Sequence, residues 1–426
     1  MKRYLFLLGI LLFALPSRGQ DSLSLGLAEV EALFIRNNLQ LIAGRFQIDI
    51  AEAEVMQARL WENPTLTLSD LNLWSSRSQR DGETIPPLFG SFARNTEFSV
   101  ELSQLIRTAG KRRKLVRREQ VSGQMAAEEF EELLRNLKTE LREQVISLSY
   151  LQDYLEVLLT QSASLSRLLE SHRKQVALGN LSRSELIRLQ AAALELENEL
   201  YETRTQYNEQ QRTLRALLCC DAFTHIRILS AGEQQLVVPR HLSVHELVEK
   251  AMLHRPDLRT ARLHTDYHRR TLSYEKALRM PDLTVGASYD RWGGVWKNFI
   301  GLGVSVDLPL FNRNQGAIRA ARLNMDQNHF LVQQQENEIA HDVVAAYNNY
   351  GIAYEFYHTL SQERLREELD AMYEVYSRNL TERHISMMEF IDFMEAYRTN
   401  RQTLLMARKN LNIQWETLQY TIGKDF

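Results

Sequence analysis

From Phe130 onward the apolar residues Leu134, Leu137, Leu141, Val145, Leu148, Leu151, Leu155 and Leu158 return at steps of three and four. That spacing lines them along one seam of a helix, and the positions between are mostly Glu, Arg, Lys, Gln and Ser. The pattern predicts a coiled-coil-like helix rather than a globular core, and by itself it suits an ordinary soluble coiled coil equally well. The eight prolines all avoid 88–238 and 310–426. Since an interior proline costs a helix about 3 kcal/mol, both stretches are free to be helical almost throughout.

Four other segments alternate with period two. Residues 95–104 place Phe98, Val100 and Leu102 against Glu97, Ser99, Glu101 and Ser103; 283–292 set Leu283, Val285, Ala287 and Tyr289 against Thr284, Gly286, Ser288 and Asp290. Residues 299–308 do the same with Ile300, Leu302, Val304, Val306 and Leu308, whereas 64–74 begin with Leu66 and Leu68 on one face and then change phase. Each run is about ten residues long, the length of a tilted membrane-spanning strand. Trp74, Tyr289, Trp292 and Trp296 gather at one set of ends, where an interfacial aromatic belt sits. The polar 75–94 and the short 293–298 would then lie together at one rim.

These elements occur twice. A shift of 217 lays Asn38-Leu39-Gln40-Leu41 on Arg255-Pro256-Asp257-Leu258 and Pro64 on Pro281, and a shift of 204 lays Leu178-Gly179-Asn180-Leu181-Ser182 on Glu382-Arg383-His384-Ile385-Ser386, with Glu185 over Glu389. Each half reads helix, strand, loop, strand, long helix, turn, helix. Ser182 with Glu185, Ser386 with Glu389 and Ser243 with Glu246 are capping boxes that open helices, so the tip turns fall near 179–182 and 380–386. The expected division is a leader over 1–19, a first repeat over 20–220, a linker over 221–242 and a second repeat over 243–426. The helix over 114–178 would be about 100 Å long, against about 55 Å each for 182–218 and 23–60. Two short helices laid end to end would therefore match one long one.

Composition narrows the compartment. Lys2 and Arg3 precede an apolar run over 4–15 and then Ser17-Arg18-Gly19, which reads as an export signal cleaved near Gln20. Losing those three basic residues takes the formal net charge from −3 to −6, so no basic excess points to nucleic acid. Cys219 and Cys220 are adjacent and cannot staple distant segments; neither sits where a lipid anchor attaches. After Leu15 no apolar run is long enough for a membrane-spanning helix.

Four strands leave two open edges, which hydrocarbon does not tolerate. Closed barrels have about eight strands or more, so the chain must assemble with copies of itself, as a dimer or a trimer; only the larger leaves an aqueous lumen.

The duplicated plan, Asn63-Pro64, Ser103-Gln104-Leu105, Gly110-Lys111-Arg112 and above all Pro309-Leu310-Phe311-Asn312-Arg313-Asn314-Gln315-Gly316 resemble the TolC family of outer-membrane factors over essentially the whole mature chain. The resemblance implies a mainly α fold with a membrane β-barrel. Each chain of a homotrimer would lend four strands to a twelve-stranded barrel in outer-membrane lipid, continued by a periplasmic helical tunnel, with 219–242 and the C-terminal tail in an equatorial belt. It implies a passive exit duct that docks to a periplasmic adaptor (membrane fusion protein) and an inner-membrane pump of the RND type. No cofactor is implied, and Gly-x-Ser-x-Gly, His-Glu-x-x-His and phosphate-loop motifs are lacking.

Carried onto this chain, the family's acidic constriction falls on Glu389 and Asp392, three apart on one helical face, with Glu where the family often has Asp. Three copies would make a ring of about six carboxylates favouring cations, with Arg188 as closing partner. The bland alternative is a solvated, capped helix start. Adaptor docking falls on the tips, at Gly179, Asn180, Leu181, Ser182 and Arg183 and at Arg383, His384, Ile385 and Ser386. Leu60-Trp61-Glu62-Asn63-Pro64 with Asn72-Leu73-Trp74 resembles members serving heavy-metal cation pumps. Drug efflux and type I secretion ducts share the fold, and a periplasmic coiled-coil scaffold is the remoter reading. His264 and His268, four apart, and Met387, Met388 and Met394 read as surface and packing residues rather than metal ligands.

Overall fold

The computed structural model describes residues 22–71, 98–229, 237–291, 298–362, 365–382 and 384–424. The leader, the loop 75–94, Asn72, Leu73, Trp74, Trp292, Trp296 and Arg383 lie outside the described residues. In chain order the elements are β1 (Ser22–Leu25), α1 (Leu27–Asn37), α2 (Leu39–Arg59), β2 (Thr65–Ser69), β3 (Phe98–Ile106), α3 (Lys111–Ala177), α4 (Arg183–Leu218), β4 (His225–Ile228), a 3-10 turn (Pro239–His241), α5 (Val244–His254), α6 (Pro256–Leu278), β5 (Leu283–Arg291), β6 (Asn298–Val306), α7 (Gln315–Gln362), α8 (Leu365–Thr381) and α9 (Met387–Ile422). No helix among them is long and apolar enough to cross a membrane.

The chain divides into two compact units. One, Arg45–Phe130 with Pro256–Glu336, holds the four alternating strands as one antiparallel sheet in the order β2-β3-β5-β6. β3, β5 and β6 have nine residues each and β2 only five. Asp70, at φ 57°, ends β2, which is where the alternation changes phase. Where β3 turns into α3, Thr108 N–H donates to Asp282 Oδ1 (2.8 Å), and Lys111 Nζ donates to Met280 O (2.6 Å) and pairs with Asp282 (2.7 Å). Lys111 is 4% and Asp282 27% exposed at the side chain. Burial pushes the Asp282 carboxyl up, but the bonds from Lys111 and Thr108, with Arg107 nearby, outweigh it and hold the group below the ordinary range. At the second strand-to-helix exit, Asn314 Nδ2 donates to Glu275 O (3.0 Å) and Oε2 (2.6 Å).

The other unit, Met1–Gly44 with Glu131–Arg255 and Asn337–Phe426, is helical. The predicted seam is its core: Leu137, Leu141, Val145, Leu148, Leu151 and Leu158 are all buried. Toward the tips, Tyr154, Leu158 and Leu165 of α3 share one cluster with Leu189, Leu196 and Leu200 of α4, Leu380 of α8 and Met387, Phe390 and Met394 of α9. The two helical hairpins therefore pack as one body.

Two features depart from the sequence reading. The helix expected over 23–60 is broken at Asn38, and its counterpart at Arg255. Asn38 is buried, caps α2 by accepting from Leu41 N–H (3.0 Å) and donates Nδ2 to Leu217 O at the end of α4 (2.9 Å). Arg255, equally buried, donates to Thr421 O at the end of α9 (3.5 Å) and to Asp342 (3.2 Å). The ends of the short helices meet at these two breaks. The second departure is a pair of strands beyond the expected four: β1 runs parallel to β4, held by Gln152, whose amide accepts from Ile228 N–H (3.0 Å) and donates to Ile228 O (3.2 Å).

Candidate functional site

The sheet sorts its side chains by face. Leu66, Leu102, Ala287 and Leu302 stand in one row across the four strands, and Leu68, Val100, Tyr289 and Ile300 in the next. Ile300 and Leu302 are 77% and 86% exposed, on an apolar face that packs on no other described element. The opposite face carries the rows Thr65, Ser103, Gly286, Gly303 and Thr67, Glu101, Ser288, Gly301. A Cβ on Gly286 would come within 2.9 Å of Glu101 Oε1, and one on Gly301 within 2.9 Å of Ser288 Oγ. Gln104, the polar member of the apolar face, is satisfied at the sheet's end by donating to Glu62 O (2.9 Å) and Leu105 O (3.0 Å).

Both tips are tight caps. α3 ends on Gly179 in the left-handed region, φ 77°, with Asn180 N–H reaching back to Gln175 O (2.9 Å), and Ser182 accepts from Glu185 N–H (3.2 Å) to start α4. Leu181 is half-buried and Arg183 exposed, while Leu178 is 70% exposed. At the second tip His384 N–H bonds Asn379 O (2.8 Å) and its ring lies 3.3 Å from Glu382. Ser386 and Glu389 close a full capping box, Ser386 N–H to Glu389 Oε2 at 2.7 Å and Glu389 N–H to Ser386 Oγ at 3.3 Å. These bonds from Ser386 hold the Glu389 carboxyl below its ordinary range. Ile385 packs against the hairpin core, whereas Leu178 at the first tip and Met388 just after the second are exposed.

Glu389, Asp392 and Arg188 are all exposed. No ion pair among the described residues joins Arg188 to either carboxylate. Two of the three lie on α9 and one on α4. His264 and His268 stack at 6.2 Å, and burial with His264 nearby lowers the His268 pKa; no group of three or more metal-ligating side chains occurs among the described residues. Met387 and Met394 are buried in the hairpin core and Met388 is exposed.

Two polar networks in the helical unit escaped the sequence reading. Arg142 Nε donates to Glu31 (2.6 Å) and Nη1 to Glu416 (2.8 Å), tying α1, α3 and α9 together. Tyr154 donates to Glu199, which pairs with Arg398 (3.0 Å); burial first, then Glu199, pushes the Tyr154 phenol far up. Both join residues far apart in sequence, and no local spacing signals them.

Duplicated helical hairpins in one unit and, in the other, a sheet with one exposed apolar face, one polar face and two edges unpaired among the described residues are the parts of a channel-forming protomer. The sequence profile of the outer membrane efflux protein family matches residues 32–219 and 247–424, and the chain belongs to that family. The cobalt-zinc-cadmium resistance protein CzcC of Cupriavidus metallidurans is 23% identical over 286 residues, which cover 67% of this chain and 63% of CzcC. The chain thus aligns with less than two thirds of that relative's length. Among solved structures, the transmembrane channel CusC matches with a TM-score of 0.73 at 15% identity, over 95% of this chain and 93% of CusC. The Campylobacter jejuni outer membrane channel CmeC matches at 0.76 and 14%, over 96% and 90%.

Proposed function

We propose that the chain is the outer-membrane exit duct of a tripartite efflux system, a passive channel assembled from three copies and extending into the periplasm of a Gram-negative cell. The observation that carries this reading is the sheet: an exposed apolar face on strands whose two edges, β2 and β6, are unpaired among the described residues. Four alternating strands keep a closed ring antiparallel throughout, because β6 of one copy runs opposite to β2 of the next. Hydrocarbon accepts such strands only when the ring is closed, with the Leu302 row facing lipid and the Glu101 row facing the lumen.

The duct docks a periplasmic adaptor at its tips, around Leu178, Gly179, Asn180, Leu181, Ser182 and Arg183 and around His384, Ile385 and Ser386, with an RND-type inner-membrane pump supplying the energy. No catalytic step belongs to the duct. Glu389 and Asp392 from three copies form the acidic constriction, and Arg188 closes it from a facing hairpin. Heavy-metal cations are the cargo, a reading supported by the likeness to a cobalt-zinc-cadmium resistance protein. A deletion strain should become sensitive to zinc, cobalt or cadmium, and complementation with this gene should restore growth. Sensitivity to dyes or antibiotics instead would reassign the cargo, and failure of the purified protein to conduct in a planar bilayer would overturn the duct itself.

A further inference from the structure

The chain contains, inside itself, a picture of the seam that it makes with its neighbour. The two sequence shifts hold residue by residue in the structure. A shift of 217 takes Leu66 to Leu283 and a shift of 204 takes Leu102 to Val306, so the observed pair Leu66↔Leu102 maps onto the observed pair Leu283↔Val306. The 204 shift persists through the strand-to-helix exits. It takes Gly110, φ 68°, to Asn314, φ 57°, and the first residue of α3, Lys111, to the first residue of α7, Gln315.

β3 is paired on both sides, with β2 and with β5, and the β3·β5 seam joins the first repeat to the second. β6 is the counterpart of β3 and β2 that of β5, but among the described residues neither has a strand on its outer side. Past Ser103, where β2 begins, β3 continues to Ile106 because β5 alone still pairs with it, as Gln104↔Val285, Leu105↔Thr284 and Ile106↔Leu283. The corresponding residues Leu308, Pro309 and Leu310 have no strand partner, and Leu310 N–H folds back onto Leu308 O (2.9 Å). Leu308 and Leu310 are 69% and 62% exposed.

We infer that β6 of one copy pairs with β2 of the next in the register of β3 with β5, so that Asp307 stands opposite Ser69 and Leu308 opposite Leu68. The occupant of the open edge is a second copy of this chain, and the inference rests on the assembly proposed above. Applying both shifts to Ser103↔Gly286 and Gln104↔Val285 yields these two pairs. The register meets a condition that it was not built to satisfy. It puts Leu308 beside Leu68 on the apolar face and Asp307 beside Ser69 on the polar one, whereas a slip of one residue would set every apolar side chain of one edge against a polar one of the other.

The seam between copies also differs chemically from the seam within. At the inner seam Asp282 takes bonds from Thr108 and Lys111. The same shifts put Thr65 at the place of Asp282, Asn312 at that of Thr108 and Gln315 at that of Lys111. The copies are therefore joined at this place by strand pairing and apolar contact without the charged clasp.

Cysteine cross-linking tests the register. In a Cys219→Ser, Cys220→Ser background, the full-length protein is made as Ser69→Cys/Asp307→Cys, as Leu68→Cys/Leu308→Cys, and as the slipped control Ser69→Cys/Ser305→Cys. Directly opposed positions bring Cβ atoms to disulfide range and positions offset by two do not. On mild oxidation in isolated outer membranes, the first two pairs should give covalent dimers and trimers in about tenfold higher yield than the control. A higher yield from the control, or no cross-link in either opposed pair while the reduced protein still runs as a trimer and conducts, overturns the register and leaves the duct standing. A cysteine-free parent that is monomeric and does not conduct overturns the duct and the register together.

Discussion

The clasp between Lys111 and Asp282 invites a perturbation whose outcome depends on which partner is the more buried. Lys111 is 4% exposed, and among the described residues its ammonium bonds Met280 O and Asp282; Asp282 is 27% exposed and keeps its bond from Thr108. Replacing Asp282 by Asn keeps an oxygen that accepts from the ammonium but removes its counter-charge, and a buried cation left uncompensated costs about 3–5 kcal/mol. Replacing Lys111 by Met leaves a carboxylate that water reaches, so the cost falls to about 1–2 kcal/mol. For a unit of this size each kcal/mol lowers the melting midpoint by about 2–4 °C. Asp282→Asn should therefore melt about 6–20 °C below the parent and Lys111→Met about 2–8 °C below it, read by circular dichroism in a nonionic detergent. The difference depends on pH with a known sign. The folded Asp282 pKa is depressed, so its contribution is present above the unfolded value, about 3.9, and is lost as pH falls through the folded value. The gap between parent and Asp282→Asn should close in strong acid. A Lys111→Met protein less stable than Asp282→Asn would refute the reasoning from burial.

Removing Arg142 as Arg142→Met leaves Glu416, 4% exposed at its side chain, without its closest guanidinium, and should cost about 3–5 kcal/mol by thermal melting; adding Glu416→Gln should recover much of it, and no recovery would show that the loss is packing alone. Gly423 closes α9 at φ 79°, and a Cβ there would lie 3.0 Å from Arg255 Cα and 3.1 Å from Arg255 N. Gly423→Ala should cost about 2 kcal/mol and speed amide exchange near Arg255, whereas unchanged exchange would contradict the contact. Glu389→Gln/Asp392→Asn should weaken the preference for cations and raise conductance in a planar bilayer; unchanged selectivity and conductance would remove these residues from the gate. The Glu389 cap holds its carboxyl pKa down, so its part in the tip's stability is present above the ordinary glutamate value and lost as pH drops through the folded one, a change that amide exchange at Phe390 should report.

The helices were legible because their signals are local. The seam from Leu137 to Leu158 is buried as the period requires, and Ser182, Ser243 and Ser386 each accept the N–H three residues on. The strands were legible because both faces alternate, and β2 fell short where its alternation failed. The break at Asn38 was only half legible: Asn38 caps Leu41 N–H three residues on and its counterpart Arg255 precedes Pro256, but its bond to Leu217, 179 positions away, leaves no mark in the local sequence. The parallel pair of β1 and β4 has only four residues a side, too few for a period to show. At the tips, spacing named Glu389 and Asp392 as one face of a helix but said nothing of distance to Arg188, because a partner on another hairpin, or in another copy, leaves no trace in local sequence.

The two bare edges also govern how such a chain reaches its destination. A single copy placed in hydrocarbon would carry a row of unpaired N–H and C=O groups along β2 and another along β6, each group costing several kcal/mol. Insertion of one copy at a time is thus closed as a route, and the chains must meet before they enter. Because that meeting needs several molecules at once, the rate of insertion rises more steeply than in proportion to the amount of chain exported. A cell that halves its synthesis of this protein loses more than half of its rate of making new ducts, while any surplus copies remain exposed to chaperones and proteases, edges uncovered.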